Sequence, residues 1–528
     1  MCKIYFPQFR QGKDGLPLHP GLTILEAARM ADVKIHAECG GIGKCGKCTV
    51  RIASGKDNLN PPTSMEIASG LKEDERLACQ ARIVRDRSDL SVYIKNFGEY
   101  EILKYGIERS VRLCPLYENK NGRVVREGIP VENYKGAVYG IAADIGTTTM
   151  VFDLVDLENG DILETAAKTN PQISFGNDVI SRIEAASSPA RLKQLQKLPV
   201  EFINASLETI AGETGKDISG LVYQAVIVGN PTMRDIFFGK NVQSLGVMPY
   251  ESSNKSALVV PPGQIGLKIN PEGEVYGAPL IGGHIGSDIV AGVLACGMHR
   301  SKDICLLIDI GTNGEIVLGN MDRMTASSCA AGGAFEGTTV ACGSGSIEGA
   351  IKKIEITGGR IAYSTIGNRH PSSVCGSGFI DLLAEFLNHG IMTEKARLKE
   401  DFYITGDIKI TQNDIFQLIT SKAAIKTGWQ ILLANYPAKL SDVKKIYISG
   451  GFGNFVDIKN AVRIGLIPDV GEERFVKIGN GALEGAREML LCTDARKLSG
   501  TIAEKIVHVR PEKAEKEFEY ILAENMYF

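Results

Sequence analysis

The chain has 528 residues, 44% hydrophobic and 23% charged, with a formal charge of −3. This is an ordinary globular composition, and it gives no general affinity for nucleic acid or an anionic membrane surface. No run of 18 or more apolar residues is present and the first residues lack the basic and apolar regions of a secretory leader, so the expectation is a cytoplasmic protein of two to four domains.

Disulfides are rare in that compartment, so the 12 cysteines need another account. Eight are scattered: Cys2, Cys114, Cys296, Cys305, Cys329, Cys342, Cys375 and Cys492. They are expected as small buried side chains, because free cysteine packs like a small hydrophobe. The other four are grouped. Residues 1–10 predict a first strand, and Thr23 can cap a short helix that carries Leu25 and Ala28 on one face. A glycine-rich loop, Glu38-Cys39-Gly-Gly-Ile-Gly-Lys-Cys45-Gly-Lys-Cys48, follows, and 30 residues intervene before Cys79 in Arg76-Leu-Ala-Cys-Gln80.

Three cysteines on one tight loop and one from a distant segment can bring four thiolates to an iron–sulfur core. Glycines let backbone N–H groups turn towards the sulfurs. A zinc site favours two separated Cys-x2-Cys pairs, and unrelated buried cysteines would not cluster in this way. Gly41, Gly43 and Gly46 match a dinucleotide fingerprint, but no strand–helix unit surrounds them. The Cys-x5-Cys-x2-Cys spacing is one residue longer than the plant-type pattern and resembles adrenodoxin-like ferredoxins. Residues 1–96 look like a β-grasp ferredoxin, which implies a [2Fe–2S] cluster on Cys39, Cys45, Cys48 and Cys79. Residues 97–136 are polar and without sustained period, and are read as a linker with one short strand or helix, the alternative being irregular structure packed against a neighbour.

Gly140-Ile-Ala-Ala-Asp144-Ile-Gly146-Thr147-Thr148-Thr149 reads as strand, tight turn, strand, and Leu306-Leu-Ile-Asp309-Ile-Gly311-Thr312-Asn313-Gly314-Glu315 repeats it. Such an echo predicts two duplicated halves facing across a cleft. Turns of glycine and threonine offer N–H and O–H groups to phosphates, and an aspartate at each strand end can hold Mg²⁺ through water. No P-loop is present. Lys445-Ile-Tyr-Ile-Ser449-Gly450-Gly451-Phe452-Gly453 is a strand entering a glycine turn, where a backbone can approach adenosine closely. Taken together, residues 137–528 resemble the actin, sugar-kinase and chaperone ATPases. The resemblance implies ATP and Mg²⁺, two phosphate motifs (Asp144 to Thr149, Asp309 to Asn313) and an adenosine motif at Gly450, Gly451 and Gly453. The expected fold class is a multidomain mixture of α/β and α+β. A β-grasp ferredoxin domain precedes an actin-like ATPase whose ribonuclease H-like halves span roughly 137–300 and 301–528.

Gly282-Gly-His284-Ile-Gly-Ser-Asp288 reads as a turn opening a helix. By its resemblance to carbohydrate kinases, Asp288 is the candidate for orienting or deprotonating the attacking water, with a plain helix cap as the alternative and Glu315 as a weaker candidate. His284 reads equally as structural.

A ferredoxin joined to this ATPase resembles the reductive activators of corrinoid proteins. Further segments carry the likeness: Asn170-Pro-Gln…Gly176-Asn-Asp-Val-Ile-Ser-Arg182, Gly229-Asn-Pro-Thr-Met, Ala330-Ala-Gly-Gly-Ala-Phe-Glu-Gly337 and Val374-Cys-Gly-Ser-Gly. The stretch between the two parts is shorter than in some relatives, and Pro231 stands where threonine is expected. The resemblance implies one-electron reduction of inactive Co(II) to Co(I) in a corrinoid protein of a methyltransferase system, driven by ATP. A deficit of about 300 mV corresponds to roughly 7 kcal/mol, within reach of ATP. A low-potential electron donor is implied as second partner, and a homodimer is left open. Three other readings remain: an ATP-gated carrier for a different acceptor, a small-molecule kinase with a redox appendage, and a non-enzymatic binding module.

Overall fold

The computed structural model describes residues 2–7, 15–31, 33, 35, 48–68, 71–94, 112–176, 178–337, 339–345, 349–406, 408–450 and 455–528. Cys39, Cys45, Gly451 and Gly453 lie outside the described residues. The chain divides into two compact units, Met1–Tyr105 and Gly106–Phe528.

In the first unit, strands Lys3–Tyr5 (β1), Leu16–Pro17 (β2), Thr49–Ser54 (β3), Glu75–Leu77 (β4) and Leu90–Ile94 (β5) form one sheet in the order β2-β1-β5-β3-β4. The helix Ile24–Met30 packs Ile24, Leu25, Ala27 and Ala28 into the core. It starts with a reciprocal capping box, in which the Glu26 N–H donates to Thr23 Oγ1 at 3.1 Å and the Thr23 N–H to Glu26 Oε2 at 2.7 Å. A buried ion pair holds β4. Arg76 Nε and Nη2 donate to Glu66 Oε1 and Oε2 at 2.8 and 3.1 Å, and the N–H groups of Leu77 and Thr63 donate to the same carboxylate. Removing one member of such a pair leaves a buried charge unmatched. Glu66→Ala should therefore cost about 3–5 kcal/mol, read as a lower thermal midpoint for loss of the iron–sulfur absorption. An unshifted midpoint would show the pair to be dispensable.

The second unit opens with Tyr117–Lys120 (β6), Arg123–Arg126 (β7) and Ile129–Asn133 (β8), a three-stranded meander. This corrects the expectation of a linker for this part of 97–136. Leu116, Tyr117 and Val124 are buried in the unit's core. The missed signal is turn chemistry: Asn121-Gly122 and Glu127-Gly128 all have positive φ, as the tightest hairpins require.

Strands Tyr139–Ile145 (β9), Thr149–Asp156 (β10), Ile162–Thr169 (β11), Val222–Val228 (β12), Leu258–Val260 (β13) and Glu274–Gly277 (β14) form the first large sheet, ordered β11-β10-β9-β12-β14-β13. Strands Ile304–Ile310 (β15), Gly314–Gly319 (β16), Met324–Cys329 (β17), Val443–Ser449, Phe475–Gly479 and Ile506–His508 form the second. It has the same core pattern: an antiparallel three-strand meander whose first strand pairs on its free side with a parallel strand, which pairs with a further parallel strand. The duplication read from the two Asp-Ile-Gly-Thr motifs is thus the architecture. Between β17 and Val443–Ser449 the second half carries an insertion. It contains Ala350–Thr357 (β18), Arg360–Thr365 (β19), Ser373–Val374 (β20), Phe402–Thr405 (β21), Ile408–Ile410 (β22) and the helices Gly376–Asn388 and Gln412–Ala434. Val443–Ser449, Phe475–Gly479 and Ile506–His508 are then β23, β24 and β25.

Strand β12, buried at every position, is the near-continuous apolar run expected of a parallel strand covered on both faces. The helices Ser287–Cys296 and Gly481–Leu491 pack on each other and share one core with both large sheets, through Val290, Val293, Ala486 and Leu490. Each fully buried aliphatic side chain there contributes about 1.5–3 kcal/mol. Cys114 and Cys492, expected as lone buried residues, form a disulfide across 378 residues. The backbone brings them together: the Cys114 N–H donates to the Leu491 carbonyl at 2.9 Å, and the Thr493 N–H to the Cys114 carbonyl at 3.0 Å. No helix among the described residues is long and apolar enough to cross a membrane.

Candidate functional site

In the first unit, Cys48 precedes β3 and Cys79 follows β4, and pairing of Thr49 with Leu77 brings the two together. Their sulfurs are 3.3 Å apart and both side chains are buried. The Ala78 N–H donates to the Cys48 carbonyl at 2.8 Å, which fixes the two segments, and Gln80 Nε2 lies 3.6 Å from the Cys79 sulfur. Two buried thiols this close fit a thiolate-ligated cluster.

In the second unit the two predicted phosphate turns face each other. Thr148 Oγ1 and Thr312 Oγ1 are 3.1 Å apart, one from each half. Both hydroxyls donate to Glu336 Oε2, Thr148 at 2.9 Å. Gly146 and Gly311 sit in the respective turns, and Thr147 is buried and accepts from Asn230 Nδ2 at 2.9 Å. Thr149 opens β10 with an exposed side chain. Asp144 ends β9 and accepts from Asn480 Nδ2 at 2.9 Å. Asp309 ends β15 and accepts from Ser449 Oγ at 2.5 Å.

The strands beside these aspartates finish alike, β12 at Val228 before Gly229-Asn230, and β23 at Ser449 before Gly450. Gly450 has φ +123°, and a Cβ there would lie 2.4 Å from the Ile310 carbonyl oxygen, so this turn admits only glycine. Pro231, the departure from the expected threonine, is the first residue of the helix Pro231–Phe237, with Asn230 as cap. A missing N–H costs nothing at that position.

Asp288 lies in the first turn of the helix Ser287–Cys296. Ser287 ties that turn to the Gly229 carbonyl at 2.9 Å. The Asp288 carboxylate accepts the Ile289 N–H at 2.8 Å and faces Asp144 and Asp309. Glu315 is buried on β16, accepts from Ser328 Oγ at 3.2 Å, and is bonded by the Asn313 side chain. Asp144, Asp288, Asp309, Glu315 and Glu336 thus form one acidic cluster. Burial pushes Asp144 up to about 7, with Asn480 opposing and Asp309 and Glu336 adding. It pushes Asp288 up to about 8, with Asp144 adding. Burial also raises Asp309, Glu315 and Glu336.

Clustered carboxylates that hold protons this tightly are the donor set a hard cation such as Mg²⁺ displaces protons from. The folded state binds these protons more tightly than the unfolded chain, whose aspartates titrate near the ordinary 3.8. The cluster's contribution to stability is therefore present at low pH and is lost as pH rises towards about 8. Mg²⁺ should then raise the melting temperature more at pH 8 than at pH 6. An equal or larger rise at pH 6 would take the metal away from this cluster.

Most of the residues read from sequence therefore converge on one cleft. Sequence reasoning missed Glu336, Asn230 and Asn480 as members of it. The first two lie in motifs noted without a role, and Asn480 has no local signal.

Residues 12–84 match the 2Fe-2S iron-sulfur cluster binding domain. Residues 139–301 match the RACo middle region, and 303–528 the C-terminal domain of RACo, the ASKHA domain. The corrinoid activation enzyme RamQ of Eubacterium limosum is 35% identical over 454 residues, covering 80% of this chain and 75% of that protein. The chain belongs to the family of reductive activators of corrinoid proteins. Another member, the [Co(II) methylated amine-specific corrinoid protein] reductase of Methanosarcina barkeri, is 26% identical over 67% of this chain and 70% of its own length. The solved structure of a reductive activator for a corrinoid, iron-sulfur protein superposes over 100% of this chain and 98% of that one, with a TM-score of 0.75 and 29% identity. Like the family, the chain combines a [2Fe–2S] domain with an actin-type ATP-binding domain.

Proposed function

We propose that this protein is an ATP-dependent activator that returns the Co(II) form of a corrinoid protein to Co(I). The observation that carries the reading is one chain holding both a buried thiol pair, Cys48 and Cys79, and a cleft in which two phosphate turns meet at Thr148 and Thr312. The stoichiometry is simple: a low-potential donor reduces the protein by one electron, that electron passes to Co(II), and ATP and water become ADP and phosphate. Cys39, Cys45, Cys48 and Cys79 would hold a [2Fe–2S] cluster, which would supply the one-electron carrier. The acceptor is assigned to a methyltransferase system, in which the cobalt works as Co(I).

In the ATPase unit, Gly146, Thr147, Thr148 and Thr149 on one side and Gly311, Thr312 and Asn313 on the other bind phosphate oxygens. Asp144 and Asp309 would hold Mg²⁺, which would neutralise the phosphate charge there. Asp288, in the first turn of its helix, takes the proton of the attacking water, with Glu315 on β16 as the alternative base. Gly450, Gly451 and Gly453 form the adenosine side. The organisation into a ferredoxin domain over 1–96 and an ATPase domain over 137–528 belongs to the same reading, with the meander 117–133 joined to the latter.

Nucleotide can drive the cycle only through different affinities of its ATP and ADP forms for the Co(II) protein. The test mixes anaerobic cluster-loaded protein, a Co(II) corrinoid protein and a low-potential reductant, and follows the Co(I) absorption band. Co(I) should form with Mg-ATP and not with Mg-ADP. ATP consumption without Co(I), with every corrinoid partner tried, would point to a different acceptor.

A further inference from the structure

Arg182, on the helix Val179–Ala185, has none of its surface exposed. A guanidinium stays charged at neutral pH and loses its hydration on burial, so each N–H group needs an acceptor. Nε donates to the Gly176 carbonyl at 2.9 Å and Nη1 to Gln172 Oε1 at 3.3 Å. Nη1 also lies 3.1 Å from the Met233 sulfur, a weak acceptor. Nη2 is buried and has no hydrogen-bond partner among the described residues. The carboxylates that face the guanidinium are Asp178 and Glu336.

Its position is set by the first phosphate turn. Gln172 Oε1 also accepts from Asn170 Nδ2 at 3.2 Å, and that same nitrogen donates to the Gly146 carbonyl at 2.8 Å. The Asn170 N–H donates to the Thr148 carbonyl at 2.7 Å. From the other half comes Glu336, whose carboxylate accepts hydrogen bonds from the hydroxyls of Thr148 and Thr312. These are the two hydroxyls best placed to grip a phosphate between the halves. One anion holds both of them, and one cation with an unused donor faces that anion.

We propose that Arg182 recognises the terminal phosphoryl group of ATP: its Nη2 donates to an oxygen of the γ-phosphate, and that phosphate replaces Glu336 at the hydroxyls of Thr148 and Thr312. A phosphate dianion accepts the same hydroxyl donors as a carboxylate and repels it. ADP brings no third phosphate and leaves the Glu336 bridge in place. Arg182 and Glu336, from opposite halves, thereby convert the presence of one phosphate into a change in what joins the halves. The segments Asn170–Arg182 and Ala330–Gly337 both acquire a role. The proposal rests on the nucleotide reading of the cleft.

The test is equilibrium titration of the full chain with Mg-ADP and with a non-hydrolysable Mg-ATP analogue, for wild type, Arg182→Gln, Glu336→Gln and the double variant. Arg182→Gln should weaken the analogue by about 10–100-fold, the range of a hydrogen bond to a charged group, and ADP by less than about threefold. The loss should persist in the double variant. An unchanged analogue-to-ADP ratio in Arg182→Gln, or a ratio restored in the double variant, overturns the proposal, since either makes Arg182 a counter-ion of Glu336 alone. Should Arg182→Gln not fold, Arg182→Lys keeps the charge without the planar fork. A lowered ratio then sustains the proposal and an unchanged one overturns it. Binding of ADP to wild type separates failure of this proposal from failure of the nucleotide reading, which falls only when neither nucleotide binds.

Discussion

Asp309→Asn should lower magnesium-dependent ATP hydrolysis by about 10²–10³-fold, the usual size of the loss when one preorganised electrostatic group is removed from a reacting centre. The substitution keeps the side-chain volume, and the new amide oxygen can still accept the Ser449 hydroxyl that bonds Asp309 at 2.5 Å. What changes is charge. Asp309 faces Asp288 and Asp144 within the same cleft, and the three together favour a divalent cation in a way that two do not. Phosphate release by the full chain measures the loss, with the visible iron–sulfur spectrum as the control for folding of the rest. Turnover within about threefold of wild type would remove Asp309 from the metal site, and with it the assignment of the second phosphate motif.

Cys79→Ser should abolish the [2Fe–2S] absorption bands and reduce Co(I) formation to the level seen without protein. A serine oxygen is a hard donor that binds iron poorly as a neutral hydroxyl, and the Cys79 side chain is too buried for solvent to replace the lost ligand. Cys2→Ser is the matched control: Cys2 also belongs to the first unit but is not one of the four grouped cysteines, and its replacement should leave the iron content at the wild-type value. Full iron content and an unaltered spectrum in Cys79→Ser would show that the fourth ligand is another residue.

The sequence spoke most clearly where chemistry depends on short spacing. Cys48, grouped by the loop spacing, and Cys79, grouped by the Leu-Ala-Cys-Gln ending, do lie side by side. Thr23 marked a helix start that the structure contains. The two Asp-Ile-Gly-Thr turns foretold two like sheets. What was illegible lies in partners distant along the chain. Glu336 meets Thr148 across 188 residues, and Asn480 meets Asp144 across 336. A buried hydrogen-bond partner leaves no periodicity and no turn signature, so only the fold identifies it. The meander at 117–133 is a different failure. Its Asn-Gly turn was visible, but its strands are short and their polar positions outweighed Val124 and Val125.

The helix Gly481–Leu491 covers β9 and β12, and through Asn480 and Arg487 it reaches Asp144 and Asp153, residues made more than 330 positions earlier. A ribosome adding 5–20 residues per second takes roughly 15 s to a minute to cover that interval. Throughout it the apolar strands of the first half lack their covering helix, and high contact order of this kind slows folding as well. The cluster-binding unit, by contrast, is complete in sequence after its first hundred residues. The cluster-binding unit is therefore synthesised in full well before the residues that complete the nucleotide cleft, and the nascent first half spends that interval with apolar strands uncovered.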